Sequence, residues 1–251
     1  MLFIRKWLNT MALLYNPSSF HWYCCAIGTD LRPSPACLNP AKHHVHLHYG
    51  CGVTLYKMGR YKEALSEGQK AIELEPDNAL YHNDCGSTLH GMGRYEEALA
   101  EKPKAIELEP DNAAYHNSCG LTLHEMGRYE KALTEKQDAI ELEPDNAEYH
   151  NSCSITLHKK GRYEEALAEE QKAIHLAPDN SWYYNSLGNI LNSLQRYQEA
   201  LDAYNKAFAF GPKRPIYYRN LARTYKKMGL KEEAAQAEKR AKKLQNSLRQ
   251  D

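Results

Sequence analysis

The stretch ALYHNDCGSTLHGMGRYEEALAEKPKAIELEPDN, residues 79–112, runs directly into AAYHNSCGLTLHEMGRYEKALTEKQDAIELEPDN, residues 113–146. The two segments have the same length and agree over most of it, so the chain is built by duplication of a 34-residue unit. Each half of the unit reads as a helix. In the first half Tyr81, Cys85, Gly86 and Leu89 recur at helical spacing, and Gly93 supplies the left-handed residue that ends such a helix. The second half starts near Tyr95 with Ala98, Leu99, Ala105, Ile106 and Leu108 as its expected buried face. Pro110 stops it, because proline cannot donate to or continue a helix.

Working outward, the phase holds along most of the chain. A Gly-Arg-Tyr triplet begins at Gly59, Gly93, Gly127 and Gly161, with Gln195-Arg196-Tyr197 and Gly229 in the same register. Pro76, Pro110, Pro144, Pro178 and Pro212 close successive units. The predicted fold is therefore all-α, a solenoid of about six helix-turn-helix repeats spanning 45–78, 79–112, 113–146, 147–180, 181–214 and 215–248, preceded by a non-repeating leader and linker, 1–44. Gly86 is expected to face Ala98, and Ala105 to meet the next unit, since larger side chains at these points would push the layers apart.

Composition narrows the function. Thirty-two basic residues balance 32 acidic ones, which gives no bulk reason to expect nucleic acid or an anionic membrane. Four of the seven cysteines (Cys51, Cys85, Cys119, Cys153) share one repeat position, a packing pattern that suits a reducing, cytoplasmic setting. The apolar runs of the leader are broken by Arg5, Lys6, Asn9 and Thr10, too short for a membrane span. No phosphate loop, dinucleotide fingerprint or nucleophile elbow is present, so neither an enzyme nor a cofactor is expected.

On these residues the chain resembles the tetratricopeptide repeat family from Val45 to about Leu248. The matching positions are the first-helix glycine (Gly52, Gly86, Gly120, Gly188), the two second-helix alanines of each unit, such as Ala98 and Ala105, and the closing prolines. The resemblance implies a right-handed superhelix whose stacked first helices line a concave groove that captures a peptide or a partner helix. It implies a scaffold or adaptor; the alternative is a regulatory repeat segment of a larger enzyme such as a glycosyltransferase, or an RNA-associated module using the basic carboxyl-terminal helix. From Lys213 onward twelve Lys or Arg face four acids, but a solvated cap accounts for that surplus.

The departures matter as much. His48, His82, His116 and His150 replace an aromatic residue, and Gly68, Lys102, Lys136 and Glu170 replace another in the second helix, so looser packing is expected there. Ser154 replaces the glycine, and Pro103 lies inside a second helix. Apolar residues from Phe3 to Leu14 recur at helical spacing and would cover the first unit, while Pro33, Pro35 and Pro40 read as linker.

The expected groove centres on a row of carboxamides, Asn83, Asn117, Asn151 and Asn185, each able to donate to and accept from a peptide backbone. His90, His124 and His158 form a second row beside it, read as plain surface residues with a pH-sensitive groove as the alternative, and Asn189, Arg219 and Arg223 complete the candidate set. The family's carboxylate clamp is not expected, because Tyr49, Asn83, Asn117 and Asn151 stand where its first lysine belongs, and only Asn189 and Asn220 match it. The His and Cys pairs one turn apart, such as His116 and Cys119, are read as packing rather than metal ligands, because adjacent repeats lie about 10 Å apart.

Overall fold

The structure, a computed structural model, describes residues 40–211 and 214–247. The leader helix expected over Phe3 to Leu14, and Pro212, lie outside the described residues. Twelve helices, and no strand, occur among the described residues. They are α1 (Pro40–Lys57), α2 (Tyr61–Leu74), α3 (Ala79–Gly91), α4 (Tyr95–Leu108), α5 (Ala113–Glu125), α6 (Tyr129–Leu142), α7 (Ala147–Lys160), α8 (Tyr163–Leu176), α9 (Ser181–Ser193), α10 (Tyr197–Phe210), α11 (Pro215–Lys227) and α12 (Lys231–Ser247). Each odd-numbered helix packs on the even-numbered one that follows, which in turn packs on the next unit, and the result is an α-solenoid.

Local chemistry sets the turns. At the end of α3 the amide of Gly93 donates to His90 O at 2.9 Å and that of Arg94 to Leu89 O at 2.9 Å, with Gly93 at φ +74°. This crossed pair satisfies carbonyls the helix leaves open. The fifth unit makes the same turn with Gln195 at φ 62°. A side chain there is strained, and Gln195→Gly is expected to raise unfolding free energy by about 1 kcal/mol, measured by urea denaturation. An unchanged midpoint would mean that the side chain has contacts outweighing the strain.

Alanine and glycine set the spacing within a unit. Ala98 and Ala105 are fully buried, and a β-carbon on Gly86 would lie 3.3 Å from Ala98 O. Ala105 packs with Ala79 and with Tyr115 of the next unit, as expected.

Three expectations need correction. Leu108 is 39% exposed rather than buried, because it lies two residues past Ile106, roughly 200° round the helix. Pro40 does not lie in a linker but opens α1, five residues ahead of the boundary drawn at 45; at a first helical position a proline loses no hydrogen bond. Nor are the positions that lack the second-helix aromatic residue left empty. Cys85 Sγ sits 2.6 Å from where a β-carbon on Gly68 would be, and the Lys102 and Lys136 stems lie against Gly86 and Gly120 as an aromatic ring would.

The two halves of the array are joined differently. Between the first four units, His82 Nε2 meets Pro76 O at 2.8 Å, His116 Nε2 meets Pro110 O at 3.0 Å, and His150 Nε2 meets Pro144 O at 2.8 Å. Each closing proline is thus tied to the next first helix. In the last two units rings take over: Tyr204 and Tyr217 are fully buried, Phe208 packs on Tyr217 and Tyr218, and Tyr184 stacks on Phe210.

Candidate functional site

The seams between units are polar, and they account for most of the expected groove residues. Lys102, buried in α4, donates from Nζ to Ser118 O at 2.7 Å, and Lys136 in α6 donates to Ser152 O at 2.8 Å and Thr156 Oγ1 at 2.7 Å. Each lysine spans its own unit and ends on the next one. Burial holds both ammonium groups down to a pKa of about 8. In the fourth unit Glu170 takes the same place, fully buried, and burial pushes its carboxyl up to about 8 even though Asn151 Nδ2 donates to both oxygens at 2.9 Å.

The asparagine row follows from this arrangement. Asn117 (6% exposed), Asn151 (6%) and Asn185 (3%) lie in the seams rather than on an open face, and Asn83 is half-buried. Asn151 also reaches Ser186 Oγ at 3.3 Å, and Asn185 Oδ1 accepts from Asn220 Nδ2 at 2.9 Å. Asn83 Nδ2 donates to Asp84 at 3.2 Å, while the buried Oδ1 atoms of Asn83 and Asn117 have no protein partner. The carboxamide of Asn151 is therefore committed to Glu170 of its own unit and Ser186 of the next, and that of Asn185 to Asn220 of the next unit. The reason is geometric: this position stands at the edge between seam and open face, and the neighbouring first helix covers it.

The histidine row is also spent within the seams. His90 Nδ1 meets Thr122 Oγ1 at 3.0 Å, His124 Nδ1 meets Thr156 Oγ1 at 3.0 Å, and His158 Nε2 meets Ser193 Oγ at 2.8 Å. Burial pushes all three rings below the ordinary histidine range, helped by the Lys102 and Lys136 charges at His90 and His124. A neutral imidazole paired with a hydroxyl is an inter-unit link, and its sensitivity to pH is moved to lower values. The buried thiols of Cys85 and Cys119 are likewise pushed up, to about 12, as packing residues would be.

The first helices leave apolar side chains open along the array, and cationic ones on α11. Leu80 of α3, Leu121 of α5, Trp182 of α9 and Ile216 of α11 are exposed large side chains. They occupy the second or ninth position of their units; residues seven apart share one helical face, so these form a single row. Asn189 stands half-buried beside it, accepting from the Tyr204 hydroxyl at 3.0 Å. Arg219 and Arg223 are exposed on α11, the former hydrogen-bonded to Gln245 of the final helix. The sequence reading missed Leu80, Leu121, Trp182 and Ile216, although their recurrence at two positions of the unit was there to be read. The larger surface depression, lined by Glu143, Pro144, Asp145, Asn146 and Ala147, lies on an inter-unit turn rather than in this row.

Comparison with known proteins agrees with the repeat architecture. The sequence pattern described as TPR repeat matches at residues 52–93, 86–127, 120–159, 155–193 and 188–229. No curated protein sequence matches the chain. Among solved structures, pilF of Pseudomonas aeruginosa superposes with a TM-score of 0.69 at 19% identity, covering 82% of this chain and 94% of that one. A tetratricopeptide repeat protein from Parabacteroides merdae gives 0.69 at 18% identity, covering 82% and 80%. YrrB, described as a TPR protein with an unusual peptide-binding site, gives 0.54 at 22% identity, covering 71% and 92%. At these identities the likeness is one of fold.

Proposed function

The chain belongs to the tetratricopeptide repeat family, and on that footing we propose that it is a non-catalytic scaffold holding a peptide or helix of a partner protein against its first helices. The observation that carries this reading is the row of exposed Leu80, Leu121, Trp182 and Ile216, flanked by Arg219 and Arg223. Apolar side chains aligned on four of the first helices, with exposed Glu148 at the same position of α7 between them, suit a largely apolar segment, and two exposed guanidinium groups suit acidic residues or a terminal carboxylate on it. Arg223, Arg219 and Asn189 contact the partner in this reading, whereas Asn151, Asn185, His90, His124 and His158 hold the units in register beneath it, and Asn83 and Asn117 keep carbonyl oxygens without a protein partner. Described residues include no helix long and apolar enough to cross a membrane, and the partner is taken to be a protein rather than a lipid surface.

The test is a pull-down with the full chain against the Leu121→Asp, Arg223→Glu double variant, read by mass spectrometry. Both side chains are exposed, so helicity by circular dichroism is expected to stay unchanged. Loss of a defined set of partners in the variant supports the face; an identical set with both proteins removes it from the account.

A further inference from the structure

We propose that His116, Glu135 and Asp138 form a binding site for one divalent transition-metal ion of the zinc or cobalt type. The inference rests on one unit differing from its sisters. In the first, second and fourth units a histidine of the first helix meets a glutamate of the second: His48 and Glu67 at 2.5 Å, His82 and Glu101 at 2.6 Å, His150 and Glu169 at 2.6 Å. A lysine three residues on pairs with the same glutamate in each case: Lys70 at 2.7 Å, Lys104 at 3.1 Å and Lys172 at 2.9 Å. In the third unit that lysine is Asp138.

The exchange converts an ion-pair cluster into a ligand set. His116 Nδ1 lies 2.9 Å from Glu135 Oε2 and 3.8 Å from Asp138 Oδ2, and one donor atom from each residue lies within 4.8 Å of the others. Zinc bonds of about 2.0–2.2 Å place tetrahedral ligands roughly 3.4 Å apart, between the two measured separations. Among the described residues neither carboxylate forms an ion pair with a Lys or Arg, and two carboxylates facing one imidazole leave a negative charge even with the ring protonated. A dication neutralises that excess.

The tautomer also fits. Pro110 O can only accept, so the 3.0 Å contact places a proton on Nε2, and Nδ1, which meets Glu135 Oε2 at 2.9 Å, is the nitrogen at which a metal ion would take the place of a proton. An imidazole and two carboxylates suit a borderline divalent ion, with water completing the shell at the exposed side of Asp138. The sequence points to histidine and cysteine one turn apart and to the His43, His44, His46, His48 tract, neither of which makes a metal site across repeats, and no metal is expected on that basis. The partners of His116 lie instead on the following helix, 19 and 22 residues away.

The experiment is titration of the full chain with Zn²⁺ by calorimetry and with Co²⁺ by visible absorption, for the parent and for Asp138→Lys. That variant restores the lysine of the sister units and is expected to fold. The parent is expected to bind one ion more than the variant, with cobalt ligand-field bands that the variant lacks. Affinity at the site is expected to fall by more than the roughly 100-fold that changes around metal ligands cost. The histidine tract His43, His44, His46 and His48 is common to both proteins, so ions bound there cancel in the difference. Equal stoichiometry and equal spectra overturn the assignment. Should circular dichroism show Asp138→Lys to be unfolded, Asp138→Asn keeps the shape without the charge, and parent-like binding by it is equally decisive against the site.

Discussion

At pH 9 the Glu170→Gln protein is expected to unfold at a higher urea concentration than the parent, by roughly 4 to 5 kcal/mol, and below pH 4 the two curves are expected to coincide. The carboxyl of Glu170 ionises near 8 in the folded chain against a reference of 4.5, and burial is the cause. Between those values the folded state keeps a proton that the unfolded state has released, so the parent loses stability as pH rises through that window. The carboxamide has no proton to lose, and it resembles the neutral carboxyl beside Asn151. Lys102 and Lys136 act in the opposite sense above this range. Their folded values of about 8 lie below the reference of 10.5, so the parent regains stability as pH rises from 8 towards 10.5. The parent is therefore expected to be least stable near pH 8. A constant gap between the two proteins from pH 4 to pH 9 would show that Glu170 titrates as an exposed carboxyl does, and would remove the buried-charge account of the fourth unit.

Pro103→Gln is expected to stabilise the chain by about 3 kcal/mol, the cost of a proline in a helix interior. Pro103 sits inside α4, which continues through it to Leu108, so the carbonyl of Leu99 lacks the amide donor that glutamine would supply. The first, third and fourth units carry Gln69, Gln137 and Gln171 at this position, so the side chain is already suited to it. Thermal and urea unfolding of the two proteins decide the matter. No change in either would mean that the missing bond is replaced by solvent at no net loss.

The repeat length, the turn glycines and the paired alanines were legible because each follows from a local rule: a 3.6-residue period, a left-handed backbone, a close helix contact. Leu108 was misplaced because its apolar character was read without its angle round the helix, and Pro40 because a proline that opens a helix looks in the sequence like one that belongs to a linker. The asparagine row was legible as a row but not as a seam. Whether Asn151 lies open or buried is decided by Glu170, 19 residues on, and by Ser186 in the following unit. A signal of the pairing did exist, since Glu170 and Ser154 depart from the pattern in the same unit, whereas Lys102 and Lys136 each keep their glycine. Asp138 could likewise have been found by comparing units, as it stands where Lys70, Lys104, Lys172, Lys206 and Arg240 stand in the others.

Apolar clusters run between units at both ends of the array, but the last units bury the larger rings. Apolar burial weakens on cooling, whereas hydrogen bonds such as those from His82, His116 and His150 to the closing prolines do not draw on it. Cold therefore loosens the ring-packed end around Tyr204 and Tyr217 first, and that end carries Arg219 and Arg223. In the proposed reading, where Arg219 and Arg223 contact the partner, binding is expected to weaken on cooling.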